Sequence, residues 1–170
     1  RNDKIYFPYP FAYDNIDDWD YAKAREGIYL NGQWNQALTE LACHYIKGYA
    51  FIINDDNPRV KDFDRIVELA KERGWNVIFN LMAENIDRAN ELVGEDLLYL
   101  MRQNRDYLIN RYGNQENVTV VNNLADVRNG LFTDQNWTTE HYGEMGRRTI
   151  AENVAQAVCE YHRDYYVENN

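Results

Sequence analysis

From Asn57 onward the chain alternates helix-period and strand-like segments joined by short links, and no other feature constrains its fold as tightly. Asn57-Pro58 reads as a helix start, with Asn57 as the cap and Pro58 at the first helical position, where a missing N–H costs nothing. Val60, Phe63, Val67 and Ala70 form the expected buried stripe, and Gly74 ends the helix. Asn76 to Met82 follows at once. Its Val77-Ile78-Phe79 core is continuous rather than alternating, as in a strand buried on both faces of a parallel sheet. The spacing then predicts one long helix over 88–112, through Leu97, Met101, Leu108 and Tyr112, stopping at Gly113. A second buried strand is expected over 118–121. A last helix over 144–161 carries Ile150, Val154, Val158 and Tyr161 on one face, ahead of a polar tail. The order helix, strand, helix, strand, helix is an α/β pattern, a three-layer arrangement with a mostly parallel sheet flanked by helices. Two confident strands make a small sheet for 170 residues, so more sheet is expected either in the first 50 residues or ahead of Arg1.

Those first 50 residues read differently. Tyr6, Phe7, Tyr9, Phe11, Tyr13 and Trp19 alternate with Asp14, Asp17, Asp18 and Asp20, and Pro8 and Pro10 argue against a central strand. The expectation is an irregular segment held by its aromatics, with the acids in solvated turns. Their spacing lacks the glycine and closing glutamate of an EF-hand loop. Asn31-Gly32 is a turn signal, after which Trp34, Leu38, Leu41 and Tyr45 recur at helical spacing over 34–46. Tyr49 to Ile53 is a short apolar run, either a strand or a buried connection. Neither a repeat nor a linker is visible, so residues 1–170 read as one domain.

A formal net charge of -10 and no Lys/Arg run exclude the usual nucleic-acid and anionic-lipid partners. No apolar run approaches the roughly 20 residues that span a bilayer. The chain opens Arg1-Asn2-Asp3 without methionine or signal peptide, which implies a processed product or a piece of something longer. Its cellular address is unreadable, with an extracytoplasmic one slightly favoured. Cys43 and Cys159 are expected as single buried thiols. The chain contains no serine, so a serine-nucleophile mechanism must draw its nucleophile from elsewhere.

Chemistry-bearing residues concentrate in 132–146, Phe-Thr-Asp-Gln-Asn-Trp-Thr-Thr-Glu-His-Tyr-Gly-Glu-Met-Gly, between the second strand and the last helix. His141, one of three histidines, has Asp134 and Glu140 near it in sequence. A base oriented by a carboxylate is the core of nucleophilic acyl transfer. A metal ligand is the second reading, though no further His or Cys stands at a ligand spacing, and neither metal nor cofactor is expected. The plain alternative is a helix N-terminus capped by Thr138 or Thr139, with the acids facing the helix dipole.

The helix from Asn57-Pro58 to Gly74, the strand Asn76-Val77-Ile78-Phe79-Asn80-Leu81, and the ending His141-Tyr142-Gly143-Glu144-Met145-Gly146 together resemble the C-terminal half of the SGNH, or Gly-Asp-Ser-Leu-type, hydrolases. In that superfamily a catalytic histidine is followed by four residues and then a glycine at the opening of the C-terminal helix. The resemblance covers roughly the last two thirds of the chain, 51–170. It implies a flavodoxin-like sheet, His141 as general base and an ester hydrolase or O-acyltransferase acting on a small-molecule or carbohydrate ester. The family's aspartate, three residues before the histidine, is Thr138 here. Asp134 or Glu140 would have to serve, and Asn54 stands where an oxyanion-hole asparagine would fall, with Ile52 in place of the family's glycine. The serine block has no counterpart, so an upstream polypeptide segment is expected to carry it and to complete the sheet. Two other readings rest on the residues themselves. The many Tyr and Trp suit a non-catalytic carbohydrate- or protein-binding module. Glu84 with Glu140 or Asp134 suits a carboxylate-based glycoside hydrolase.

Overall fold

The computed structural model describes residues 4–138 and 141–168, the last seven of them as helix backbone only. It is a mixed α/β protein, 55% helical, with two small sheets of which one is parallel. In chain order the elements are α1 (Ile16–Glu26), β1 (Tyr29–Leu30), β2 (Gln33–Trp34), α2 (Gln36–Tyr49), α3 (Pro58–Glu72), β3 (Val77–Leu81), α4 (Ile86–Leu92), α5 (Glu95–Tyr112), β4 (Val118–Asn122) and α6 (Glu144–Glu168).

The second half follows the sequence pattern closely. Asn57 accepts a hydrogen bond from the Arg59 N–H at 2.9 Å and Pro58 opens α3. β3 and β4 pair in parallel, from Val77 opposite Val118 to Leu81 opposite Asn122. Four details differ. Every residue of β3 is half-buried rather than buried on both faces, because among the described residues only β4 lies beside it. Phe63 leaves the apolar stripe of α3 and is 40% exposed. The single helix expected over 88–112 is two, α4 and α5, separated at Gly94. Its φ of 109° is one that L side chains rarely adopt, so the chain turns there instead of continuing the helix. The last helix continues past Tyr161 to Glu168.

The first half departs further. The acid-rich stretch read as solvated turns is helix α1. The Asn15 side chain caps it by accepting from the Asp18 N–H at 2.9 Å, and Asp17 and Asp18 face the positive end of its dipole. Asn31 and Gly32, with φ of 52° and 78°, form the tight turn of a two-residue hairpin, β1 with β2. Trp34 lies in that hairpin and is 54% exposed, so α2 starts at Gln36 without it. Tyr49 to Ile53 is a connection, held where Asn104 accepts from the Ile53 N–H and donates to the Phe51 carbonyl, both at 2.8 Å. Cys43 is buried as expected, and burial pushes its thiol up to about 11. Cys159 is exposed.

The main core lies among α1, α2, α4 and α5, where Ile16, Ile46, Leu97 and Leu100 are completely buried. Smaller clusters fill the space around the parallel strands. One holds Val67, Tyr112 and Val118; the other holds Ala83, Val127, Phe132, Tyr142 and Ile150. No helix among the described residues is long and apolar enough to cross a membrane.

Candidate functional site

The parallel pair runs out at Leu81 and Asn122, and the ladder is prolonged by the Asn123 N–H to the Leu81 carbonyl and the Glu84 N–H to the Leu124 carbonyl, both 3.0 Å. Beyond the carboxyl ends of parallel strands is where open α/β sheets place their ligands. Two side-chain bonds tie the 132–146 stretch to this edge. The phenol of Tyr142, itself 6% exposed, donates to the Ala83 carbonyl just past β3 at 2.7 Å. Asn153 of α6 donates to Asn123 Oδ1 at 2.6 Å, and Asn123, fully buried, donates to Asn80 Oδ1 at 2.7 Å.

The stretch itself is a loop closed at its base. Phe132 and Tyr142 form an antiparallel bridge. The Gly143 N–H donates to the Leu131 carbonyl at 2.7 Å, and the Thr133 N–H and hydroxyl both donate to the His141 carbonyl, at 2.8 and 2.9 Å. Directly after the bridge the chain enters α6, whose first bond is Arg147 N–H to the Gly143 carbonyl at 3.0 Å. Gly146 is required here, since a Cβ on it would stand 2.8 Å from the Tyr142 Cβ and 3.1 Å from Val127 Cγ1. Helix α6 therefore starts at Glu144, too late for Thr138 or Thr139 to cap it, and the capping reading of this stretch is corrected.

His141 is exposed at the mouth of a groove of about 930 Å³. Thr133, Tyr142 and Arg147 surround it, Met82 forms the wall on the β3 side, and the wall on the α6 side is apolar from Ile150 to Ala155. Arg147 donates to the Tyr142 carbonyl at 2.9 Å, which places a guanidinium close to the imidazole's backbone. Such a groove can hold a small molecule with its polar end at the histidine and its apolar part along α6.

The other expected site residues are placed as follows. Asp134 lies at the loop base, half-buried, and its Oδ1 accepts from the Asn136 N–H at 3.1 Å in a local Asx turn. It is not hydrogen-bonded to His141. Glu140 lies outside the described residues, as does Thr139. Asn54 is exposed and spends its Oδ1 on the Asp56 N–H at 3.0 Å. Its neighbour Asp55 pairs with Arg111 near the end of α5, towards the start of β4. The structure therefore does not bring Asn54 to His141. Glu84 accepts from the Tyr49 phenol at 2.5 Å. Among the described residues no group of three His, Cys, Asp or Glu could hold a metal ion. His44 sits in α2 with its ring 4.1 Å from that of Trp137, so the loop tip leans on α2. The His162 side chain is outside the described residues.

Sequence reasoning missed a polar cluster behind the loop. Tyr45 is 1% exposed and burial pushes its phenol up to about 12; Arg88 opposes that shift, and Glu84 and Asp134 add to it. The Tyr45 hydroxyl and Arg88 Nε are both buried without a hydrogen-bond partner among the described residues. No period or motif links residues 45, 84, 88 and 134, so only the packed structure could assemble them. The asparagines at the strand ends, Asn80 and Asn122-Asn123, did carry a legible signal, because polar amides closing apolar strands mark the ligand edge. No protein-family model, curated protein or solved structure matches this chain.

Proposed function

We propose that this chain is the histidine-bearing portion of a three-layer, flavodoxin-like SGNH-type ester hydrolase or O-acyltransferase, in which His141 is the general base. The observation that carries the proposal is the placement of His141. It is exposed in a groove beyond the carboxyl end of a parallel strand pair, on backbone fixed by the Tyr142–Ala83 bond and the Phe132–Tyr142 bridge. Gly146, one of the residues that carry the resemblance, is also one that the close approach of α6 to Tyr142 demands.

In this reading a hydroxyl nucleophile is presented at the groove mouth and gives its proton to the His141 imidazole as it attacks the ester carbonyl. The nucleophile comes from a polypeptide segment outside this chain, which also adds strands beside β3. A carboxylate on the second ring nitrogen holds the tautomer and stabilises the imidazolium. Asp134 takes that role by exchanging its Asx-turn bond for the imidazole, and Glu140 is the other acid in the stretch.

The test is ester hydrolysis by the polypeptide that joins this chain to the segment encoded ahead of Arg1. His141→Ala is expected to lower kcat about 10²–10⁴-fold, the usual worth of a general base, with unchanged thermal stability. Equal activity of the two proteins would overturn the proposal. The isolated chain, without serine, is expected neither to hydrolyse p-nitrophenyl acetate faster than its His141→Ala variant nor to be labelled by a fluorophosphonate.

A further inference from the structure

The aromatic segment 7–13 is not merely core filling. Phe7 packs on Phe11 with ring centroids 4.1 Å apart and on Tyr99 of α5 at 5.5 Å, and Phe11 meets Trp19 of α1 edge-on at 4.9 Å. The Tyr9 phenol donates to Asp96 Oδ1 at 2.7 Å, closing the segment onto the first turn of α5. Between this arch and α1 lies a cleft of about 340 Å³, within the range of small-molecule sites (~300–1,000 Å³).

Its chemistry is specific. Trp19, Tyr13 and Tyr9 supply ring surfaces, while Lys23, Glu26 and Asp96 supply charge. Trp19 is 6% exposed, and its indole N–H has no hydrogen-bond partner among the described residues. The Tyr13 hydroxyl has none there either. The Lys23 side chain is only 16% exposed, and its one ion pair among the described residues, to Glu26 at 3.6 Å, is too long for a hydrogen bond. None of these three donors is sealed from solvent, so each is open to an occupant of the cleft that their residues line. Asp96 and Glu26 bring acceptors and outweigh the single ammonium, which disfavours an anion. A ligand whose groups both donate and accept, and which carries an apolar face for a ring, fits this set.

We propose that this cleft binds a neutral pyranose sugar. One sugar face lies against the Tyr9 and Tyr13 rings. Its hydroxyls accept from the Trp19 N–H, the Tyr13 hydroxyl and the Lys23 ammonium, and donate to the Asp96 and Glu26 carboxylates. The site is separate from the His141 groove, with which it shares no lining residue, and it does not depend on that groove being catalytic.

The experiment is ¹H–¹⁵N NMR titration of the isolated chain with the methyl glycosides of glucose, galactose, mannose and N-acetylglucosamine, and with methyl glucuronide. At least one neutral glycoside is expected to give saturable shifts confined to 9–26 and 93–96. Lys23→Met and Tyr13→Phe, whose spectra otherwise match the parent, are each expected to weaken it about tenfold, as the loss of one well-made hydrogen bond would. The glucuronide is expected to bind more weakly than the neutral sugars. Absence of saturable shifts with every neutral glycoside, shifts centred on the His141 groove, tighter binding of the glucuronide, or undiminished binding by both variants would each overturn the proposal.

Discussion

The helical block made by α1, α2, α4 and α5 and the parallel pair β3–β4 with its flanking helices hold themselves together by different means. Among the described residues the helical block buries fourteen hydrophobic side chains in one cluster, several of them completely. Around the strands the buried clusters are of five and three residues, and β3 is half-buried along its whole length. There, directed bonds do more of the work. The chain Asn153–Asn123–Asn80, the Tyr142–Ala83 bond and the Asp64–Arg111 pair each fix one helix or loop to another element. Apolar burial is proportional to area and indifferent to angle, whereas hydrogen bonds specify position. The backbone of the His141 loop is therefore fixed more closely by the bonds of the second region than burial alone would fix it.

The contrast breaks most visibly under core truncation. Leu97→Ala, at a fully buried site in the large cluster, is expected to cost about 2–5 kcal/mol by urea denaturation. Val118→Ala, 8% exposed in the three-residue cluster, loses two methyl-sized groups and is expected to cost about 1.5 kcal/mol. Equal losses would mean that the strand region shares the main core after all.

Removing the Asp64 carboxylate comes next. Arg111 reaches both of its oxygens, at 2.9 and 2.7 Å, and Tyr112 donates to it at 3.0 Å. The Arg111 guanidinium, chiefly by hydrogen bonding, holds the Asp64 carboxyl below its usual range. With both side chains about 30% exposed, Asp64→Ala should cost less than breaking a fully buried pair, about 2–3 kcal/mol. A depressed carboxyl pKa stabilises the fold above the unfolded value of about 3.9, and that contribution is lost as pH falls through the lower folded value. Acid titration of stability should therefore be steeper for the parent than for Asp64→Asn below about pH 4. Parallel curves would assign the pair no net role.

Which parts were legible follows the same division. Local signals were read correctly where they act locally: Asn57-Pro58 starts α3, and the apolar runs at 77 and 118 become the parallel strands. Helix α1 was hidden because Asp serves both turns and first helical turns, and the Asn15 cap that decides between them was not recognised. The break at Gly94 was hidden by apolar spacing that continues across it from Leu92 to Leu97. At the candidate site, the position of His141 in a loop ahead of a helix was readable. The competing claim on Asp134 by its own Asx turn was not, nor was the role of Gly146, which depends on Tyr142 and Val127 meeting it in space.

Gly146→Ala tests that close approach. The added methyl meets the Tyr142 Cβ and Val127 in a packed cluster and cannot be relieved by a flexible side-chain end. The expected cost is about 1–2 kcal/mol, typical of modest overpacking. Because Tyr142 adjoins His141, the NMR signals of His141 should move as well, while those of Leu97 and Ile46 should not. Shifts spread evenly over both regions would show that the strand region is not a separate unit of packing.

The smallest effect is expected from Thr133→Val, which removes a hydroxyl without changing the size of the side chain much. The His141 carbonyl would lose the hydroxyl bond at 2.9 Å but keep the Thr133 N–H bond at 2.8 Å, so no acceptor is left unpaired. The cost in stability should be about 0.5 kcal/mol, the low end for a single hydrogen bond. Positioning is another matter, since the two bonds together fix the carbonyl next to the exposed imidazole. Amide hydrogen exchange at Thr133 and Gly143 reads this directly, because both N–H groups close the loop base. Faster exchange at these two sites, with unchanged exchange in α5, would show the loop loosening alone. Unchanged exchange at Thr133 and Gly143 would mean that the Phe132–Tyr142 bridge sets the histidine's place without help from the hydroxyl.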